Sequence, residues 1–182
     1  MKYRKVTQAD SLALSDYYVR NETHFKPWQP KTESGYHDKK QWQQRINTYL
    51  ASQNEGSCVY FVAVDMGKIV GNCTLSQISR GAFQACYIGY GVCYSVEGKG
   101  VAYKLVSNAL TYAFDTLKLN RVMANYMPHN NRSARLLNKL GFVREGIARN
   151  YLKINGRWED HVLTAMNKIE FEHALVNASK RR

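Results

Sequence analysis

The chain has 182 residues, with 26 Lys and Arg against 14 Asp and Glu, for a formal net charge of +12. Hydrophobic residues make up 45%, aromatics 12% and charged residues 22%, which excludes a largely disordered chain and fits one domain, residues 1–182, with a sizeable core. Apolar runs such as Val59 to Val64 fall far short of the roughly 20 residues a membrane helix needs, and no apolar stretch follows the basic start Met1–Lys5, so neither a membrane span nor a secretory signal is expected. The positive charge favours anionic partners: RNA, a phosphorylated cofactor or an acidic protein. Apart from Lys180-Arg181-Arg182 the basic residues are dispersed, the pattern of a solvated surface rather than of a sequence-reading nucleic-acid module. Cys58, Cys73, Cys86 and Cys93 show no C-x-x-C spacing and lie in apolar runs. They read as buried free thiols of a reducing cytoplasm, with no metal site implied.

Tyr3 to Val6 reads as a short strand. Thr7 and Asp10 resemble a capping box with Asp in place of Glu. Leu12, Leu14, Tyr17 and Tyr18 then predict a helix over about 8–20. Phe25 to Pro30, with two prolines and Trp28, reads as a loop. A polar helix follows over about 38–53 through Trp42, Ile46 and Leu50. Cys58 to Val64 and Lys68 to Ile78 read as strands joined at Met66-Gly67, and Ala85 to Tyr94 as a third. After Gly100, the stripe Leu105, Val106, Ala109, Leu110, Ala113, Phe114 and Leu117 predicts a helix with one face on the core. Arg121 to Met127 reads as a strand ended by Pro128, and Ser133 to Leu140 as a helix with Gly141 just past its end. Asn155-Gly156 between Tyr151–Ile154 and Arg157–Thr164 is a strong hairpin signal, because both turn positions need positive φ. The order is that of an α/β chain with mixed strand directions.

The junction that carries chemistry is the strand 85–94, then Glu97-Gly98-Lys99-Gly100-Val101-Ala102, then a long helix. Two glycines let the backbone curl around a bulky anion, and the first-turn N–H groups and helix dipole favour negative charge there. The loop is neither a P-loop nor a Rossmann fingerprint, since neither glycine pattern is present. Taken alone it is equally well an ordinary strand-to-helix turn.

A second segment, Asn130-Asn131-Arg132-Ser133-Ala134-Arg135-Leu136-Leu137-Asn138-Lys139-Leu140-Gly141-Phe142, joins it. Together the two resemble the GNAT acetyltransferases, with their glycine loop Q/R-x-x-G-x-G/A and later helix N-x-x-S-x-x-L-x-x-K-x-G-F. The helix pattern matches at Asn130, Ser133, Leu136, Lys139, Gly141 and Phe142. The loop matches at Gly100 and Ala102 and departs at Glu97. Phe25 to Pro30, Arg80 to Phe83, Cys86 to Tyr90, Asn125 to Asn130 and Asn155 to Ala165 are similar to the RimJ branch of the RimJ/RimL group.

That resemblance implies the GNAT fold: a mixed, largely antiparallel sheet, splayed between its fourth and fifth strands, with helices on both faces. It implies acetyl transfer from acetyl-CoA to the N-terminal alanine of a small-subunit ribosomal protein, by direct attack of the amine. The implied pantetheine contacts are Val92 and Cys93 with Asn130. The pyrophosphate would lie on Gly98, Lys99, Gly100, Val101 and Ala102. A backbone N–H of strand 85–94 can polarise the thioester carbonyl. Candidate proton acceptors from the amine are Tyr87, Asp160 and Glu145, or water leading to bulk; Asp160 can instead be a structural partner in its hairpin. The tyrosine that protonates the thiolate in many relatives is replaced by Leu137, which leaves Ser133 as donor, as holder of a water, or as a plain first-turn serine. Trp28 and Arg80 are candidate walls of the acceptor groove, although Trp28 can instead pack its loop onto the core. Two other readings stay open: an acetyltransferase for a small amine, polyamine or antibiotic, and a ribosome- or RNA-binding protein on the same scaffold.

Overall fold

The capping box predicted at Thr7 is present, and it is tied to the first strand. The Thr7 N–H donates to Asp10 Oδ2 at 2.8 Å, the Thr7 hydroxyl donates to the same oxygen at 2.9 Å, and Arg4 grips both carboxylate oxygens at 2.6 and 2.8 Å. These contacts fix the entry to the first helix. The computed structural model describes residues 1–179, with side chains through His173; Lys180, Arg181 and Arg182 lie outside the described residues.

In chain order the elements are β1 (Lys2–Lys5), α1 (Ser11–Arg20), α2 (Glu22–Phe25), α3 (Lys39–Asn54), β2 (Val59–Asp65), β3 (Lys68–Ser79), β4 (Ala85–Val92), α4 (Val101–Thr111), β5 (Arg121–Tyr126), α5 (Asn131–Leu140), β6 (Val143–Ile154), β7 (Arg157–Asn167) and α6 (Lys168–Ser179). The seven strands form one sheet in the order β1-β2-β3-β4-β5-β7-β6, parallel only between β4 and β5. Helices cover both faces. The Tyr60 hydroxyl meets that of Tyr18 on α1 at 3.2 Å, while neighbouring Phe61 packs on Tyr112 beyond α4. Successive strand residues point to opposite faces, so α1 and α3 lie on one side and α4 on the other. The α4 stripe buries Leu105, Val106, Ala109, Leu110, Ala113 and Phe114 as its spacing predicts. A π turn over Tyr112–Thr116 then shifts the phase, and Leu117 ends half-buried.

One feature of the sheet positions everything that follows. β4 pairs with β5 only from Ala85 to Tyr87, opposite Arg121 to Met123. Beyond that point β4 continues on β3 to Val92, and β5 continues on β7 to Tyr126. The sheet therefore forks, as the resemblance implies.

Several segments differ from the sequence reading. The Pro27 loop contains α2 and a 3-10 turn over Lys26–Trp28. α5 starts at Asn131 rather than Ser133 because Asn130 caps it: the Ser133 N–H donates to Asn130 Oδ1 at 3.1 Å. β6 begins at Val143, not Tyr151, and α6 was not anticipated. β6 is the edge strand, mostly exposed and twice irregular in register, so it lacks a clean two-residue alternation. At the hairpin, Asn155 has φ 46° and Gly156 φ 86°, the turn the dipeptide predicts.

Burial by itself would raise the Asp10 carboxyl, but the Arg4 and Thr7 donors hold it below the ordinary carboxylate range. A folded-state value below the unfolded one adds stability above about pH 4 that is lost as pH falls through the folded value. Asp10→Asn is expected to cost about 1–3 kcal/mol at pH 7. In urea melts, the gap between wild type and variant should persist at pH 7 and narrow at pH 3.

Candidate active site

A cleft of about 900 Å³ opens at the fork. Its floor is the carboxyl half of β4 and the end of β5, from Ile88 to Val92 and from Ala124 to Met127. The Cys93 N–H donates to the Val70 carbonyl at 2.8 Å, and Val92 lies opposite Gly71. Antiparallel ladders alternate, so Tyr90 and Val92 turn their N–H and C=O groups away from β3, towards β5. Pairing with β5 has ended there, which leaves this strand edge open to a ligand lying in the fork.

One wall is the glycine turn. Gly98 has φ 71° and Gly100 φ 75°, and a Cβ at either would meet nothing within 4 Å. Gly100 caps α4 without a side chain, and the first intrahelical bond runs from the Lys104 N–H to the Gly100 carbonyl at 3.1 Å. The N–H groups of Val101, Ala102 and Tyr103 therefore have no partner within the helix. They face a cleft that Arg132, Arg135 and Lys139 of α5 also line. Exposed N–H groups, room for close approach and three cations suit a pyrophosphate.

Glu97, the departure from the family's loop, also lines the cleft. Arg132 Nη1 lies 2.5 Å from its Oε1, and His24 Nε2 of α2 lies 3.4 Å from the same oxygen. The carboxylate is thereby paired, and the anion-binding role stays with the backbone. Arg132 was not foreseen from the sequence; a carboxylate beside a phosphate site is the signal that a cation must accompany it.

The fork separates two faces. On the α4 and α5 side stands Tyr90, whose phenol burial pushes up to about 12, partly offset by the Ser133 hydroxyl. The Tyr90 hydroxyl has no well-formed hydrogen bond of its own among the described residues. Ser133 lines the cleft beside it, and Leu137, one turn on, is buried in the core. On the α1 side lie Gly89 and Gly91. A Cβ at Gly91 would press on Asn72 at 3.2 Å and on Phe25 and Tyr17 at 3.5 Å. A Cβ at Gly89 would meet nothing within 4 Å, so this face of the fork is open. Around it stand Asn125 and His161, which line the cleft, and Tyr151, bonded to Asn125 and packed on the His161 ring, with Tyr87 beside it. Tyr151 Oη accepts from Asn125 Nδ2 at 3.2 Å; the neighbouring Tyr87 phenol and burial push the Tyr151 phenol up, and the Asn125 donor partly offsets them.

Of the residues singled out in the sequence, Trp28, Val92, Gly98, Gly100, Val101, Ala102, Asn130 and Ser133 are brought together along the cleft. Others stand elsewhere. Cys93 is buried, and both its backbone groups are spent on Val70 and Val96; its thiol accepts from Asn21 Nδ2 at 3.1 Å. Lys99 folds back so that Nζ donates to the Ser95 carbonyl at 2.8 Å. Arg80 lies at the closed end of the fork, donating to the Leu117 carbonyl where the α4 segment ends, so it is no wall of the groove. Asp160 Oδ1 accepts from the Asn150 N–H at 2.9 Å, where Asn150 bulges at φ 47°, which is the structural alternative. Glu145 pairs with Arg121 at the start of β5, away from the cleft. Tyr87 is on the open face, but it stands beside the Tyr151 phenol and does not line the cleft. Tyr90 and His161 were missed. Their signal is a polar tip at an inward position of an otherwise apolar strand.

The model of the acetyltransferase (GNAT) domain family matches residues 1–143. The chain is 41% identical over 165 residues to the [ribosomal protein uS5]-alanine N-acetyltransferase of Escherichia coli strain K12, covering 90% of this chain and 85% of that protein. It superposes on the ribosomal-protein-S5-alanine acetyltransferase of Vibrio fischeri with TM-score 0.89 and 36% identity, covering 91% and 92% of the two chains. For Mycobacterium smegmatis RimJ in complex with a CoA disulfide, the TM-score is 0.90 at 30% identity, covering 97% and 88%. No helix among the described residues is long and apolar enough to cross a membrane. The chain belongs to the GNAT acetyltransferases, as an acetyl-CoA-dependent N-acetyltransferase of the RimJ/RimL group.

Proposed function

We propose that this enzyme acetylates the N-terminal alanine amine of a small-subunit ribosomal protein in the cytoplasm, with residues 1–182 acting as a single domain. The observation that carries the reading is the 41% identity, over nine-tenths of the chain, with an enzyme named for that reaction. The cleft agrees with it. Among its described lining residues Glu97 is the sole carboxylate, and it is paired with Arg132. A polyamine would need free acidic groups there, so the alternative acceptor finds no support.

Acetyl-CoA supplies an acetyl group activated as a thioester. The N–H groups of Val101, Ala102 and Tyr103, with Gly98 and Gly100 giving clearance, hold its phosphates. The open edge of β4 at Tyr90 and Val92 receives the pantetheine arm, with Asn130 at the foot of α5 beside it. An N–H of that edge polarises the thioester carbonyl. Trp28, 5.6 Å from His129 between ring centroids, walls the side from which the acceptor enters. The neutral amine nitrogen bonds to the carbonyl carbon, the carbon–sulfur bond breaks, and the amine's proton leaves. Ser133 donates a hydrogen bond or relays a proton to the departing sulfur, with Tyr90 next to it. An α-amine of pKa about 7.7–8.0 and a thiol near 8.5 both need only modest help at neutral pH.

Three outcomes check this. Gly100→Val puts a branched side chain into the space the phosphates occupy and strains a left-handed residue. The Kd for CoA by calorimetry should rise by about tenfold or more in a folded variant. Ser133→Ala should lower the single-turnover rate by about 10- to 100-fold while CoA affinity stays within about threefold; an unchanged rate would reduce Ser133 to a helix-start residue. With an alanine-terminated peptide, kcat/KM should rise with pH and level near 8. An N-terminally blocked peptide of the same sequence should gain no acetyl group by mass spectrometry, and acetylation at a lysine side chain would overturn the acceptor assignment.

A further inference from the structure

The reaction releases a proton from the amine, and the carboxylates considered as its acceptor are occupied elsewhere: Asp160 by the Asn150 N–H and Glu145 by Arg121. Tyr87 lies beside Tyr151 and does not line the cleft. His161 is placed differently. It sits on β7 with only 4% of its surface exposed, yet it lines the cleft. The register sets its side chain on the same face as Asn125: Asn125 lies opposite Leu163, and His161 precedes Leu163 by two residues on the strand. That is the open face at Gly89, the side opposite Ser133 and α5.

The ring is also fixed in one protonation pattern. His161 Nδ1 lies 3.1 Å from the Glu159 carbonyl oxygen. A carbonyl can only accept, so Nδ1 carries the hydrogen. The neutral ring then has its lone pair on Nε2, which is the basic nitrogen. No hydrogen bond among the described residues occupies Nε2, and it is not among the buried polar atoms left without a partner. A buried ring whose unpartnered basic nitrogen keeps access to the cleft has the features of a proton acceptor. Tyr151 packs against the ring at 5.5 Å between centroids, 55° from parallel, and holds its plane.

We propose that His161 is the proton acceptor for the acceptor amine. The inference rests on the acetyl-transfer reading above and adds the base that reading lacks. The amine nitrogen forms its bond to the acetyl carbon, its proton passes to His161 Nε2 directly or through one water, and the imidazolium keeps its Nδ1–H bond to Glu159. The proton then returns to solvent through the cleft. The thiolate takes its proton from the opposite side of the fork. Tyr151 of β6 packs on the ring, Tyr87 of β4 lies beside that phenol, and Glu159 meets the ring through its backbone carbonyl.

The test uses the full chain with an alanine-terminated peptide and acetyl-CoA. In His161→Gln, kcat at pH 7 should fall by about 100-fold, near the lower end for general-base catalysis because an α-amine is partly neutral already. CoA affinity by calorimetry should not change. The deficit should shrink steadily as pH rises past the amine's own pKa, because solvent then supplies the neutral amine. A merely structural defect would give the same ratio of rates at every pH. His161→Ala should be restored in part by added imidazole, which also covers the case in which the Gln variant fails to fold. A folded His161→Gln with wild-type kcat, a deficit independent of pH, or an Ala variant without imidazole rescue overturns the proposal. A wild-type enzyme that leaves the peptide unmodified overturns the acceptor reading and this inference together, whereas wild-type turnover with an unaffected variant removes His161 alone.

Discussion

The end of β4–β5 pairing at Tyr87 and Met123 is the constraint on which the site depends. A central strand ordinarily spends its N–H and C=O groups on two neighbours. Here β4 keeps β3 as far as Val92 and loses β5 three ladder positions in, so its free edge is ready-made for a ligand's amide groups. The same fork splits the cleft into two faces. Burial of Val101 and Leu105 seats α4 on the sheet with its amino end at the fork. Gly71 lets that packing close: a Cβ there would lie 3.3 Å from Leu105 Cδ2 and 3.1 Å from Val92 Cγ1. A helix with no side-chain cap thus ends where an anion can complete it.

The side of the cleft proposed to take the acceptor is assembled from segments far apart in the chain. The Asn155 N–H donates to the Gln29 carbonyl at 2.9 Å, so the β6–β7 hairpin tip rests on the Pro27 loop. The positive φ of both Asn155 and Gly156 lets a two-residue connection close this hairpin with the native twist. The loop so held presents Trp28 to the cleft, against His129 from the segment that follows β5. The cleft wall at Trp28 therefore depends on hairpin geometry, and Asp160 contributes by holding the bulge at Asn150.

The sequence was informative where one residue type has one physical use. Gly98 and Gly100 need positive φ, Asn130 is a strong helix cap, and Asn155-Gly156 closes a hairpin; each stands where its chemistry requires. The stripe on α4 and the apolar runs of β2 to β5 marked the core, and the order of elements with the two GNAT segments marked the fold. What stayed hidden depends on partners distant in sequence. Nothing local says that Arg80 would turn to the Leu117 carbonyl, or that Lys99 would fold onto Ser95. Glu97 looked anomalous because Arg132, its partner, comes from the next helix. Cys93 fell one residue past the open edge, and on a strand one residue reverses which neighbour the backbone faces. β6 escaped notice because an exposed edge strand with two register breaks carries no period.

Charge distinguishes the two faces of the fork. Arg132, Arg135 and Lys139 line the cleft of a chain with net charge +12, and Glu97 offsets only part of that field. A positive, partly enclosed site concentrates anions and speeds their encounter, an effect that weakens with salt because screening acts over about 8 Å at physiological ionic strength. An anion bound against these side chains neutralises them, so their field serves the encounter and leaves little bias on an amine across the fork. The opposite face carries the neutral polar groups Asn125 and His161 in place of cations. In the proposed reaction the amine's proton is therefore the business of that face alone, which is why a base there matters.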